Sequence, residues 1–386
     1  MPAALHFEIT ARDGAARRGL LRTRSGLVET PAFMPVATYG VVRGVSAGDL
    51  VGLGAQILLA NTFHLHERPG EEAVAKAGGL HGFSAWRGPW LTDSGGYQVT
   101  SLADRARVSE EGVAFASPLD GRRRLLTPEG AVAIQEALGA DIAMVLDECI
   151  PAAGADAART QAAMERSLRW AERCARARRR SDQALFDIVQ GGTNPSLRRH
   201  SAAALASLGF DGIAHGGLGL GEEGPLRAAL LAEVHAAVPA GQPRYLMGLG
   251  RPEDLLAGIA QGVDLFDCVI PTRHARHGML FTREGGLAIR NARFAGDAAP
   301  IDPACDCPTC GAYSRGYLRH LFQVNDALGP RLATLHNLRF YLQLLERARQ
   351  AISAGRFAAL HAETAGLARA RIASPVPPGA PRAERA

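Results

Sequence analysis

Short apolar runs, often rich in β-branched residues, recur along the chain. Each stops at a polar residue or a glycine and is followed by a longer stretch with helical periodicity. Eight stand out: Pro31–Val36, Gln56–Asn61, Pro89–Asp93, Asp141–Asp147, Leu185–Gln190, Gly212–Gly216, Arg244–Gly248 and Leu265–Ile270. The stretches between them carry turn and helix-start signals. Thr127-Pro128-Glu129 leads into Ala131–Leu138, and Pro225 leads into Leu226–Val238. Eight strand-helix units in succession predict an α/β fold of the (β/α)8, TIM-type barrel kind, with parallel strands and chemistry at their carboxyl ends. A doubly wound open sheet is the competing arrangement.

A barrel would gather the ends of these runs at one mouth: Asn61, Asp93, Asp147, Gln190, Gly216 with Gly217, Met247 and Asp267. One aspartate after a strand reads as a helix cap. Three carboxylates, a carboxamide and a glycine pair on one rim read instead as a polar pocket. The pairs Gly95-Gly96, Gly191-Gly192 and Gly216-Gly217 permit unusual backbone angles and close approach to a flat ligand. Tyr97 and Met247 offer faces for stacking.

Composition narrows the class. The 386 residues are 47% hydrophobic and 21% charged, enough for a large core and too punctuated by Gly and Pro for a membrane span, a coiled coil or a disordered chain. Met1–Thr10 lacks a basic segment followed by an apolar core, which makes the cytoplasm the expected compartment. The net charge of +5 permits a nucleic-acid partner without arguing for one. Lys76 is the only lysine, so arginine fills nearly every basic position, and Arg122–Arg124 and Arg176–Arg180 read as solvated faces.

Three of the six cysteines crowd together as Cys305-x-Cys307-x-x-Cys310, placing three soft ligands on one tight turn beside Pro308 and Gly311. A Cys3His site needs one imidazole more. His336, in a helix predicted over Leu332–Arg347, is the best candidate and His320 its competitor. Four protein ligands leave no open position, so such a site is structural. Two other motifs are decoys. Gly219-Leu220-Gly221-Glu222-Glu223-Gly224 matches the dinucleotide fingerprint, but it follows the sixth strand and Pro225 sets the helix start beyond it. Cys149, after Asp147-Glu148, has no basic partner nearby in sequence and reads as a small wall residue rather than a nucleophile.

Taken in order, Leu91-Thr92-Asp93-Ser94-Gly95-Gly96-Tyr97-Gln98-Val99, Asp147-Glu148-Cys149, Ile188-Val189-Gln190-Gly191-Gly192, Gly216-Gly217-Leu218, Tyr245-Leu246-Met247-Gly248, Leu265-Phe266-Asp267-Cys268 with Pro271-Thr272-Arg273, and the cysteine cluster with His336 resemble the tRNA-guanine transglycosylase family. The likeness covers about residues 5 to 365. It implies a pentosyltransferase that exchanges the wobble-position guanine of certain tRNA anticodons for a 7-deazaguanine, in queuosine biosynthesis. The family works on a barrel with a zinc subdomain, usually as a homodimer.

Replacing a base without cutting the strand, and with retention, takes two displacements at the ribose C1′ through a covalent intermediate. By resemblance Asp267 is the nucleophile and Asp93 the general acid/base. Asp147, Gln190 and the Gly216-Gly217 turn read the base edge, while Tyr97 and Met247 sandwich the base. In the bacterial branch the incoming base carries an aminomethyl group. The resemblance assigns that cation to the Leu218 carbonyl, with Glu222 supporting the peptide and Cys149 and Leu220 walling the space. Leu220 favours 7-aminomethyl-7-deazaguanine over queuine. Arg251, Asp254, Arg273 and Arg276 match positions that contact the anticodon loop. Gly219, His215, Asp187 and Thr100 depart from the family pattern. The expected layout is a catalytic barrel over 1–290, a zinc-binding subdomain over 291–350, a helix on the barrel over 351–372 and a disordered tail over 373–386. A noncatalytic tRNA-binding relative and a barrel hydrolase acting on nucleosides are the alternatives.

Overall fold

The computed structural model describes residues 4–102, 106–150 and 156–367; the segment 373–386, read as a tail, lies outside them. The chain forms two compact units: the described parts of Met1–Val269 with Leu342–His361, and of Ile270–Tyr341 with Ala362–Ala386.

The first unit holds eight strands that fall within the eight apolar runs: β1 (Ala32–Pro35), β2 (Leu58–Ala60), β3 (Trp90–Thr92), β4 (Ile142–Met144), β5 (Ala184–Val189), β6 (Gly212–His215), β7 (Arg244–Leu246) and β8 (Leu265–Cys268). One predicted boundary is off by a residue, since β5 starts at Ala184. Neighbours pair in the order β1-β8-β7-β6-β5-β4-β3-β2, all parallel. A parallel bridge between Val36 and Leu59, with the Ala37 N–H donating to the Leu59 carbonyl at 2.7 Å, brings β1 against β2. The sheet therefore curls into a barrel, and the open doubly wound arrangement is excluded. Every residue of β5 is buried, as expected of a strand with the barrel interior on one face and helices on the other. Helix ends follow their chemistry. Thr127 caps Pro128–Leu138 by accepting from the Gly130 N–H, and Gly139 ends it in the left-handed conformation.

An antiparallel sheet of Leu5–Asp13, Ala16–Thr23 and Gly26–Thr30 precedes the barrel. The apolar-run pattern does not announce it, because its first strand alternates half-buried and exposed positions. Arg17 fastens this sheet to the amino-terminal ends of β7 and β8. Its guanidinium binds both oxygens of Asp264, with Nε to Oδ1 at 2.9 Å, and donates to the Ala240 and Gln242 carbonyls at 2.7 and 2.6 Å. Asp264 also accepts from the Arg244 N–H at 2.7 Å. Both side chains are fully buried, a placement that is tolerable only because their hydrogen-bonding capacity is used.

In the second unit a hairpin of Met279–Thr282 and Gly285–Ala288 precedes the helices Pro308–Ala312 and Arg315–Gln323. The helix Leu328–Ser353 contains the predicted Leu332–Arg347 and extends it at both ends; from Leu342 on it counts with the first unit. Helix Phe357–Leu367 ends the described chain. No helix among the described residues is long and apolar enough to cross a membrane.

Replacing Arg17 with Leu strands Asp264 in the interior. The loss expected for breaking a buried pair is about 3 to 5 kcal/mol, read as a lower denaturant midpoint. An unchanged midpoint would show that the pair does not hold the sheet to the barrel.

Candidate active site and metal cluster

The carboxyl ends of the barrel strands surround a cavity of about 440 Å³, lined by Asn61, Asp93, Tyr97, Asp147, Cys149, Gly216, Gly217, Leu218, Leu220, Met247 and Asp267 among others. Among the described residues its lining contains three aspartates and no arginine or lysine. His64 also reaches the cavity, and burial pushes its pKa down despite the opposing charge of Glu67, which favours the neutral ring. Two residues read as site residues from sequence, Gln190 and Glu222, stand behind the lining and bond to it.

Neutral donors hold each carboxylate. Asp93 accepts from the Asn61 amide, from the Thr62 N–H at 2.8 Å and from Gln98 Nε2 at 2.9 Å. Burial pushes its pKa up to about 6; these donors resist the rise and the charge of Asp267 adds to it. Asp147 accepts from Gln190 Nε2 at 2.6 Å. It too is raised to about 6, by burial first, with Gln190 opposing and the charges of Asp93 and Glu148 adding. Asp267 accepts from the Tyr245 hydroxyl at 2.6 Å and the Gly248 N–H at 2.7 Å. Burial raises its pKa and those two donors lower it. The Cys149 thiol is pushed up to about 12 by burial, with Asp147 adding, which removes it as a thiolate nucleophile and leaves it as wall.

The loop after β6 closes one side. A Cβ at Gly216 would lie 2.3 Å from Gln190 Nε2 and 2.7 Å from Ile188, so only glycine brings this backbone against those side chains. Arg198, missed in the sequence, buttresses the turn from behind, donating to the Gly192 and Gly216 carbonyls at 2.6 and 2.8 Å. The Glu222 carboxylate accepts from the Gly219 N–H at 2.6 Å and the Leu220 N–H at 3.1 Å. Because a trans peptide points its N–H and C=O in opposite directions, this turns the Leu218 carbonyl away from Glu222. It also occupies the N–H groups that a phosphate would need in the G-x-G-x-x-G reading. Gly219 has φ +78°, and a Cβ there would lie 2.7 Å from Leu249, which accounts for the small residue at this departure from the family pattern.

Tyr97 is exposed and Met247 half-buried at the cavity rim. Arg251 is exposed where it precedes the helix Pro252–Ala260, and Asp254, in that helix's first turn, pairs with Arg227. Arg273 and Arg276 belong to the helix Ile270–Arg276 of the second unit, exposed and half-exposed respectively. Of the remaining departures, Asp187 is buried without a hydrogen bond to its Oδ1, and burial raises its pKa strongly. His215 is buried with Nε2 3.0 Å from Nε2 of His235, whose Nδ1 faces the Gln261 carbonyl at 2.8 Å. That carbonyl can only accept, so Nδ1 of His235 carries a proton, and the neutral pair runs His215 to His235 to Gln261. The Thr100 side chain lies outside the described residues.

In the second unit Cys305, Cys307, Cys310 and His336 bring their ligand atoms within 4.8 Å of one another. His336 Nδ1 lies 3.6 Å from Cys307 Sγ and 3.3 Å from Cys310 Sγ. Metal-ligand bonds of about 2.0 to 2.3 Å in a tetrahedron give edges of about 3.5 to 3.8 Å, so the set fits a tetrahedral ion. His336 Nε2 lies 2.7 Å from the Phe281 carbonyl, which fixes the proton there and turns the Nδ1 lone pair to the thiols. His320 is exposed in another helix and is not part of the group.

The sequence reading missed Thr62, Gln98, Tyr245 and Gly248 as partners of the Asp93 and Asp267 carboxylates, and Arg227. Tyr245 left a faint signal: it stands two residues before Met247, the alternation of a strand, although β7 itself ends at Leu246.

The family model described as Queuine tRNA-ribosyltransferase matches residues 13–368. Proteins of that name are similar over nearly the whole chain. The one from Xylella fastidiosa (strain 9a5c) is 54% identical, with 92% of each chain covered. The one from Thioalkalivibrio sulfidiphilus (strain HL-EbGR7) is 53% identical, covering 94% of this chain and 97% of the relative. The one from Moorella thermoacetica (strain ATCC 39073 / JCM 9320) is 51% identical, covering 92% and 95%.

Burial depresses the pKa values of His215 and His235; the charges of His235, Arg198 and Arg244 add to it at His215, and those of Arg244 and Arg17 at His235, where the bond to the Gln261 carbonyl opposes. Below the unperturbed value of about 6.5 the unfolded chain takes up protons that the folded chain refuses, so stability present at higher pH is lost as pH falls. The variant H215I should shrink the drop in Tm between pH 7.5 and 5. An identical drop in wild type and variant would count against a buried neutral pair.

Proposed function

Because the chain belongs to the queuine tRNA-ribosyltransferase family, we propose that it exchanges the wobble guanine of tRNA anticodons for 7-aminomethyl-7-deazaguanine through a covalent ribosyl-enzyme intermediate. The observation that carries this reading is a cavity lined, among the described residues, by three buried aspartates and no arginine or lysine. Such a cavity suits a ligand rich in N–H donors and positive charge, and an amidine edge with an aminomethyl group is one.

Asp267, aligned by Tyr245 and the Gly248 N–H, attacks C1′. The C1′–N9 bond breaks as the C1′–Oδ bond forms, and Asp93 gives its proton to the departing guanine. Asp93 then takes the N9 proton of the incoming base, N9 attacks C1′, and the C1′–Oδ bond breaks. Protons balance over the cycle, and two inversions give retention. A carrier whose pKa lies near 6 can serve in both directions. Asp147 accepts two hydrogen bonds from the amidine edge, Gln190 and the Gly216-Gly217 turn complete that contact, and Tyr97 and Met247 stack on the two faces. Cys149 and Leu220 bound the aminomethyl space.

Arg251, Asp254, Arg273 and Arg276 are proposed to contact the anticodon loop, from which the nucleotide is extruded. Cys305, Cys307, Cys310 and His336 would hold one zinc ion, which supplies structure, not chemistry, because all four positions are taken. Action as a cytoplasmic homodimer completes the proposal and rests on the family resemblance.

With tRNA labelled at the wobble guanine, exchange without accumulation of free base is expected when no incoming base is added. Steady release of free base would favour the hydrolase alternative. D267N should abolish an adduct with RNA that survives denaturation, whereas an undiminished adduct would move the nucleophile elsewhere.

Acceptance from an amidine requires ionised Asp147, so kcat/KM for the incoming base should fall as pH drops through about 6, where burial has set that carboxyl. A flat profile down to pH 4.5 would overturn the assignment. H336A should lose stoichiometric zinc and lower Tm. Zinc retained in that variant would place the fourth ligand elsewhere.

A further inference from the structure

Arg227 lies in the first turn of the helix Gly224–Ala237, with its side chain 11% exposed between two carboxylates. Nη1 donates to Glu222 Oε1 at 3.1 Å and Nη2 to Asp254 Oδ1. The Glu222 side chain is fully buried, and its two oxygens accept the Gly219 and Leu220 N–H groups. Arg198 is near enough to feel the Glu222 charge, but it donates to the Gly192 and Gly216 carbonyls. Arg227 is thus the cation bonded to Glu222.

A carboxylate accepts through both oxygens, so Glu222 holds both N–H groups only while its orientation is fixed. Without the Arg227 guanidinium, Glu222 would keep only those two N–H groups as partners, and its carboxylate would be free to turn off one of them. One of the two N–H groups then loses its acceptor. Leu218 stands between Gly217 at φ +67° and Gly219 at φ +78°, so the 218–219 peptide can turn over at little steric cost. Turned over, it offers the cavity an N–H in place of a carbonyl. An N–H suits the N7 acceptor of guanine, and a carbonyl suits an ammonium group.

We propose that Arg227 is a positioning residue for base selection, holding the Glu222 carboxylate on the Gly219 and Leu220 N–H groups so that the Leu218 carbonyl stays available to the cationic substituent of the incoming base. Through Asp254 the same guanidinium ties this loop to the start of the helix Pro252–Ala260. The inference rests on the proposed exchange reaction and on the aminomethyl base.

The test compares kcat/KM for 7-aminomethyl-7-deazaguanine with that for guanine in the wild type, R227Q, R227K and E222Q, with Tm recorded for each. R227Q should lower the ratio of the two at least tenfold, chiefly by raising KM for the aminomethyl base. R227K, which restores the charge, should return the ratio to within about threefold of wild type. E222Q reads the same shift should R227Q fail to fold. A purely structural role would depress both bases alike. Equal losses for both bases, an unchanged ratio in folded R227Q or E222Q, or a ratio that stays low in folded R227K overturns the inference. A wild type that exchanges neither base sinks the proposed function instead.

Discussion

Moving a carboxylate out of water costs several kcal/mol unless its lone pairs find donors, and this protein does so three times around one cavity. A lysine or arginine in the lining would offset that cost, but it would also fix the charge and neutralise the groups that the proposed reaction uses to exchange protons and to bond to ribose. The protein uses neutral donors in its place: an asparagine, two glutamines, a tyrosine hydroxyl and backbone N–H groups. Two of the carboxyls are thereby left titrating near neutrality, where a proton can be given and taken. The need to bring these donors in from neighbouring strands explains why the mouth draws on nearly every strand of the barrel.

Absent from the cavity lining among the described residues, arginine works immediately behind it and at the far end of the barrel. Arg198 binds two carbonyls beneath the glycine turns, Arg227 joins two carboxylates, and Arg17 with Arg244 flanks Asp264 at the opposite end. In each place the planar fork satisfies more than one acceptor, which a lysine cannot do with the same geometry. The near absence of lysine, which in the sequence reads as compositional bias, here coincides with interior positions where arginine is the fitting side chain.

The barrel was legible because its strands are buried on both faces and so leave unbroken apolar runs. Asp93 and Asp147 were legible because each closes such a run, and Asp267 because it is a charged residue inside the last one. What escaped were relations between distant parts of the chain. Gln98 and Thr62 matter through Asp93, and Tyr245 matters through a carboxylate 22 residues later. Arg17, in an arginine-rich strand that reads as polar in sequence, meets its partner 247 residues on. Nothing local marks such a residue as interior, because its burial is permitted only by an ion that the fold brings to it. His215 and Asp187 show the converse: the sequence marked them as unusual, and the structure gives His215 a partner but leaves Asp187 without one at Oδ1.

The pairing of β1 with both β2 and β8 has a consequence for synthesis on the ribosome. Ala32–Pro35 emerges early, but the strand that seals its other edge, Leu265–Cys268, is made more than 200 residues later. At about 5 to 20 residues per second that leaves the edge of β1 unpaired for roughly 10 to 50 s in a crowded cytosol. An exposed apolar edge invites pairing with another chain. This one is four residues long and bounded by Pro31 and Pro35, neither of which has an N–H to donate. The shortness of the first strand and its two prolines therefore protect the nascent chain during the interval in which the barrel cannot yet close.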